Sequence, residues 1–149
     1  MPATALTFVG LDYLLYRNTG TYGSPVWALM NNVQDEKEGS ALAEDELNSR
    51  KSKEVQKEPT LIERVFTWSM IKDETDADYV ALRTAKDART LVEFAFANGA
   101  IATTGTTYYR QECKLFGWED EKPLTGGVVT SVTAKPCRSA NANVWTVTP

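Results

Sequence analysis

Histidine does not occur in this 149-residue chain. Its absence removes Ser-His and Cys-His nucleophile pairs, histidine general bases and most catalytic zinc sites together. A catalyst built on this sequence would rest on carboxylates, Lys, Tyr or an organic cofactor. Cysteine is nearly as scarce. Cys113 and Cys137 stand far apart with no CxxC spacing, which suits two half-buried thiols of a reducing cytoplasm, with a disulfide as the minority reading.

Long apolar runs are missing too. None approaches the roughly 20 residues a membrane helix needs, and the first thirty residues hold no basic segment, apolar core and cleavage site in series. The expectation is a soluble protein without a standard secretion signal. Positive charge is not in excess: 16 Lys and Arg face 20 Asp and Glu, for a net charge of -4. Such a chain is a poor candidate for electrostatic binding along DNA or RNA. With 42% hydrophobic residues, one domain spanning 1–149 can build a proper core.

Two glycines and a serine in "NTGTYGSP", from Asn18 to Pro25, invite a phosphate-loop reading. That motif requires Gly-Lys-Ser/Thr opening a helix. Here a proline and a strand-like run follow, without lysine, so no helix N-terminus aims amides at an anion. The stretch reads as the bend between strands Leu11–Asn18 and Pro25–Val33.

What the chain does have is strand signal. In Leu61–Ile71, Phe66, Trp68 and Met70 alternate with Thr67 and Ser69, the period of a strand with one face in a core. Val92, Phe94 and Phe96 repeat the pattern, and Asn98-Gly99 after them predicts a tight type I′ hairpin. Thr107–Trp118 and Gly126–Pro136 read as further strands, the latter ended by Pro136 or placed at an edge, and "NVWTVT" as a short last one. The four tryptophans fall mostly in these strands and read as core. One segment, about 75–88, has helical period, with Ala77, Val80, Ala81, Ala85 and Ala88 on one stripe. Thr75 and Asp78 resemble a capping box.

Gln34–Glu58 differs from the rest. It holds eight acids, crowded into its first half, and five bases, mostly in its second. It reads as a long charged loop, about 34–60, able to fold back on itself as a complementary hairpin. Loops this long in compact domains are functional or disordered. The acid runs "WEDEK" and "KDETDAD" lack the spacing of a Ca²⁺ loop and read as solvated turns and a helix start. The basic stretch Arg50–Lys57 has no aromatic residue to stack on bases. No catalytic set, cofactor site or metal site emerges.

Four stretches, in order, resemble the tail tube (major tail) proteins of long-tailed, lambda-type phages and prophages. "YRNTGTYGSPVWALMNNVQD" resembles the family's opening hairpin. "RVFTWSMIKDETDADYVALRTAKDARTLVEFAFANG" resembles its strand–helix–strand unit, with "ETDADY" at the helix start. "GVVTSVTAKP" and "SANANVWTVT" resemble its last strands. The resemblance implies a mainly β (α+β) fold: an antiparallel β-sandwich or barrel-like domain with one flanking helix, related to type VI secretion tube proteins. It implies subunits that form hexameric rings stacking into a tube, without cofactor, enzymatic activity, membrane contact or specific nucleic-acid recognition. DNA would pass through the lumen, other tail proteins would be partners, and the subunit would wait in the bacterial cytoplasm before joining the virion tail. Within the charged loop, Asp35, Glu44, Asp45, Arg50, Lys51 and Lys53 are the candidate self-assembly residues. Alternatives are another phage structural or adaptor protein (a tail terminator, a minor tail protein or a pilin-like module) and a small β-rich domain binding peptide or sugar through exposed Trp and Tyr.

Overall fold

The computed structural model describes residues 13–47, 50, 54–141 and 143–149. β1 (Leu14–Asn18) and β2 (Trp27–Leu29) form the opening hairpin, and β3 (Val33–Leu47) and β4 (Gln56–Ile71) a much longer one. Then follow α1 (Ala77–Ala88), β5 (Val92–Ala97), β6 (Thr107–Glu121), β7 (Val129–Pro136) and β8 (Val144–Val147). The eight strands make one antiparallel sheet in the order β2-β1-β5-β6-β7-β4-β3, with β8 added to β6. The sheet is not closed.

β6 makes this sheet into a sandwich. Its first half pairs with β5 on one side and β8 on the other, whereas Cys113–Glu121 pairs with β7. The strand therefore runs from one layer into the other. A register shift between Leu115 and Gly117 marks the bend, as bulges do at sheet corners. Folding over brings β4 onto β5, although β6 and β7 separate them in the strand order. Phe66 stacks on Phe96 with ring centroids 4.2 Å apart, and Trp68 meets Phe94 edge-on at 5.2 Å. Leu15, Met30, Cys113 and Val132 complete the core. Burial pushes the Cys113 thiol up to about 12, so it is an inert core side chain, and Cys137 is likewise a free thiol.

The expected strand faces hold. Phe66, Trp68 and Met70 are buried while Thr67 and Ser69 are half-buried. β5 goes further, because both its faces are covered. Ala95 and Ala97 pack with Tyr16 in a second cluster on the outer side. Its connection to β6 corrects the expected two-residue turn. β5 ends at Ala97 and β6 begins only at Thr107, and the left-handed residue in between is Gly105, φ 87°. Asn98 instead spends its side chain on the loop, accepting from Thr107 N at 3.0 Å. "WEDE" is the end of β6 rather than a turn.

The helix also departs from its expected details. Asp76, not Thr75, is the N-cap, accepting from Asp78 N, because Thr75 is already bonded to Asp73 through both its amide and its hydroxyl. The buried stripe is Tyr79, Leu82 and Ala85, with Ala77 and Ala88 exposed. The large side chains decide the orientation: Tyr79 and Leu82 enter the core, Tyr79 lying 5.4 Å from Trp118. Arg17 of β1 holds Asp78 at 2.8 Å and Asn32 donates to Asp76 at 3.0 Å, tying the helix start to the opening strands.

The corner generates a test. A Cβ at Gly117 would lie 2.9 Å from both Cβ and Oγ1 of Thr133, a contact that no rotamer change relieves at Cβ. Gly117→Ala is expected to destabilise by about 1–3 kcal/mol, the range for an overpacked site, read as a lowered midpoint in denaturant. An unchanged midpoint would show that the corner has slack.

Candidate assembly surface

The segment expected as a long charged loop able to fold back on itself does fold back, as a regular β-hairpin. β3 and β4 pair from Val33↔Met70 out to Leu47↔Gln56. Near its base the hairpin belongs to the core layer, through Phe66, Trp68 and Met70. Beyond that it leaves the body: Gly39–Leu47 and Gln56–Glu63 are exposed throughout. Nine residues of strand reach about 30 Å. Leu42 is 54% exposed and its cross-strand partner Ile62 60%, with Leu61 at 76%. Lys57 pairs with Glu44 at 2.6 Å, yet Asp45 faces Glu58 in register. The charges are therefore only partly complementary across the hairpin. A two-stranded ribbon with no cover on either face is marginal in water.

The hairpin's base is shaped by a bulge. Asp35 has φ 50°, and register shifts between Gln34 and Lys37. Asp tolerates this left-handed conformation better than a branched residue. The bulge sets Glu36 half-buried on the wall of a cleft between β1–β2 and the β3–β4 base. Desolvation there raises its carboxyl to about 7, with the Glu38 charge adding to the effect. Farther along the inner face, Arg64 lies over the Tyr109 ring at 4.8 Å, and Tyr109 touches Trp145 at 4.9 Å. Trp145 is 57% exposed, against the expectation that the tryptophans form core, which Trp68 meets fully and the half-buried Trp27 and Trp118 meet in part.

The opening bend is as expected a turn, and a locked one. Asn18 accepts from Gly20 N at 2.8 Å and Val26 N at 3.0 Å, and its amide donates to Glu93 at 2.7 Å. Glu93 in turn pairs with Arg110 at 2.6 Å, with side chains 5% and 13% exposed. Arg110 also donates to Tyr22 O at 2.8 Å and lies 4.3 Å from the Tyr22 ring centre. A buried ion pair thus carries the loop on the outer face of β5 and β6. A Cβ at Gly20 would meet Ser24 O at 2.5 Å, so this glycine serves a close backbone approach rather than a phosphate.

The structure does not gather the expected assembly residues into one cluster. Asp35 is at the hairpin base, Glu44 and Asp45 are far out on one arm, and Arg50 is exposed in the turn at the tip. Lys51 and Lys53 lie outside the described residues. Missed by sequence reasoning were the exposed Leu42, Leu61 and Ile62 and the Glu93–Arg110 pair. The run "TLIERV" was the available signal for the first, since a strand with apolar residues on both faces expects cover on both. Among the described residues there is no group of three or more metal-ligating side chains, and no helix is long and apolar enough to cross a membrane.

This bent, unclosed β-sandwich with one flanking helix and one projecting hairpin is similar in fold to solved phage tail tubes and to chains of contractile injection systems. The chain matches the SPP1 tail tube with a TM-score of 0.74 at 13% identity, over 95% of this chain and 80% of that one. It matches the tail of an empty gene transfer agent particle of C6 symmetry with a TM-score of 0.70 at 11% identity, over 96% and 100%. A chain of the PVC sheath–tube complex, an extracellular contractile injection system in its extended state, gives 0.66 at 7% identity, over 95% and 92%. No protein-family model matches the sequence, and no curated protein does.

Two outcomes are expected. Arg110→Ala strands the Glu93 carboxylate in a buried site and should cost about 3–5 kcal/mol, while Glu93→Gln with Arg110→Met should recover most of it; urea melts of the three variants decide. Glu36 has a raised folded-state pKa, so its contribution is complete below the ordinary carboxylate value and is lost as pH rises through about 7. Glu36→Gln should therefore be more stable than the parent above neutrality and flatten that part of the pH profile. Parallel profiles for the two proteins would refute the placement of Glu36.

Proposed function

We propose that this chain, one domain over 1–149, is a structural subunit that assembles into rings, six to a ring, which stack into a phage tail tube or a related injection tube. The observation that carries this reading is the β3–β4 hairpin: strands exposed on both faces, with Leu42, Leu61 and Ile62 at more than half exposure. Such a ribbon gains its stability from a second surface. A copy of the same protein supplies one in every tube, and the tail tube fold and the C6 symmetry of the matched gene transfer agent tail support that partner. Among the described residues the outer edge of β3 is unpaired in the sheet order, so a neighbouring copy's strand would satisfy its backbone groups. Head-to-tail contacts between copies close into rings when the rotation permits.

Charge assigns the hairpin to stacking. Its arms carry Asp35, Glu44 and Asp45, and the sequence around its tip carries Arg50, Lys51 and Lys53. Basic tip against acidic arm is a contact that each copy makes with the next. The tube does no chemistry and needs no cofactor. It works among other tail proteins in the virion, after a cytoplasmic wait, and lets DNA pass without reading its sequence. A net charge of -4 suits a surface along which a polyanion slides.

Reversing Arg50, Lys51 and Lys53 to Glu is expected to leave the circular dichroism spectrum and melting midpoint of the subunit unchanged while abolishing stacked tubes in negative-stain micrographs at rising concentration. Tubes of normal length from that variant would sink the stacking assignment. An absence of rings and tubes from the parent chain in the presence of its own tail-initiation proteins would sink the tube reading itself.

A further inference from the structure

Two places in the sheet set like charges directly opposite each other. On β6 and β7, Lys114 faces Lys135 in register, both half-buried. On the outer arm of the hairpin, Asp45 faces Glu58, both exposed. Opposed like charges destabilise a strand pair, and the ion pairs among the described residues relieve neither. Glu112, beside Lys114 on its face of β6, gives its carboxylate to Ser139 and Asn141. Lys57 pairs with Glu44, which lies on the other side of β3 from Asp45. Each like-charged pair also has an exposed apolar neighbour. Phe116, the extra residue at the corner bulge, is 62% exposed, with the Lys135 ammonium 5.8 Å from its ring centre. Leu47, next along the Asp45 face of β3, is 50% exposed.

The two pairs cannot meet within one chain. Lys135 and Thr133 share a face of β7, Thr133 lies opposite Thr67, and Thr67 opposite Lys37. From Lys37, alternation along β3 brings Asp45 to that same face, about 26 Å farther out. Both patches therefore look out from one side of one layer, the side away from Phe66, Trp68 and Val132. We infer that the Lys114, Lys135 and Phe116 patch is the docking site for the Asp45, Glu58 and Leu47 face of another copy's hairpin. Two carboxylates then meet two ammonium groups, and Leu47 lies against Phe116. The repulsion within each pair becomes attraction across the contact. Complementarity of this kind fixes register and rejects mismatched partners. The inference rests on the reading of the chain as a self-assembling subunit, and it adds a seat on the body to the contact made at the hairpin tip.

The test compares the full-length parent with three variants, each mixed with the tail-initiation proteins and followed by sedimentation and negative-stain microscopy. Lys114→Glu with Lys135→Glu, and Asp45→Lys with Glu58→Lys, each exchange one like-charged pair for another, so the melting midpoint of the subunit is expected to hold. The assembled fraction is expected to fall by roughly tenfold or more in both, because like charges now meet across the contact. All four substitutions together set opposite charges face to face again and are expected to restore assembly. Unimpaired assembly of either double variant, or a quadruple variant no better than the doubles, would overturn this contact and leave the tube reading standing. A parent that forms neither rings nor tubes would overturn both. A second readout needs no charge reversal. In a Cys137→Ser background, copies carrying Asp45→Cys are mixed with copies carrying Lys135→Cys, Cys113 being buried. A disulfide between chains is expected under mild oxidation once they assemble, and assembled particles without it would count against the contact.

Discussion

The stack of Phe66 on Phe96 depends on a single strand turning a corner. β6 lends its first half to one layer and its second half to the other, and the bend at Gly117 sets the angle at which β4 comes down on β5. Phe94, Trp68, Met70 and Val132 then fill the space between them, and α1 adds Tyr79 and Leu82. Because the strands on each side of β6 are registered to it, a change at the corner would be felt along the whole core.

The protein divides its stabilisation unevenly. Aromatic and aliphatic burial is concentrated between the layers, while the outer half of the β3–β4 hairpin, among the described residues, has its own ladder, the Thr60–Ala43 bond and the Lys57–Glu44 pair. An exposed pair of that kind contributes little. The bulge at Asp35 joins these two regimes, and beside it Glu36 spends desolvation energy at neutral pH. The same economy appears on the far side of the sheet. There the Glu93–Arg110 pair is buried beneath a loop that Asn18, Thr19 and Thr21 also brace through their side chains.

Much of the body was legible from alternation alone. Phe66, Trp68 and Met70 announce a strand with one buried face, and the opening hairpin follows from two apolar runs around "NTGTYGSP". The division of acids and bases in the charged segment announced that it could fold back, but the length of its strands was hidden because periodicity reports a buried face, and the outer half has none. Asn98-Gly99 misled because a two-residue turn competes with Thr106 and Thr107, whose bonds to Ala100 and Asn98 stabilise a wider loop. The helix stripe was misplaced by three residues' worth of alanines: volume at Tyr79 and Leu82 outweighs the count of small apolar residues. Glu93 and Arg110 are seventeen positions apart. Only the register that sets Arg110 opposite Ala95 makes them diagonal neighbours.

The exposed hairpin also bears on how such a protein changes over generations. In a tube built as proposed, every copy is both the lock and the key of its own interface, so one altered codon appears at every contact at once. A substitution on Leu42 or Ile62 would be tested against itself rather than against an unchanged partner. In a cell holding two alleles, a subunit altered on one end only could join a growing tube and block the next ring. A minority of such copies would then shorten most tubes. Drift should accordingly proceed by matched pairs of changes on the two contacting surfaces, leaving the folded body recognisable long after the letters have diverged.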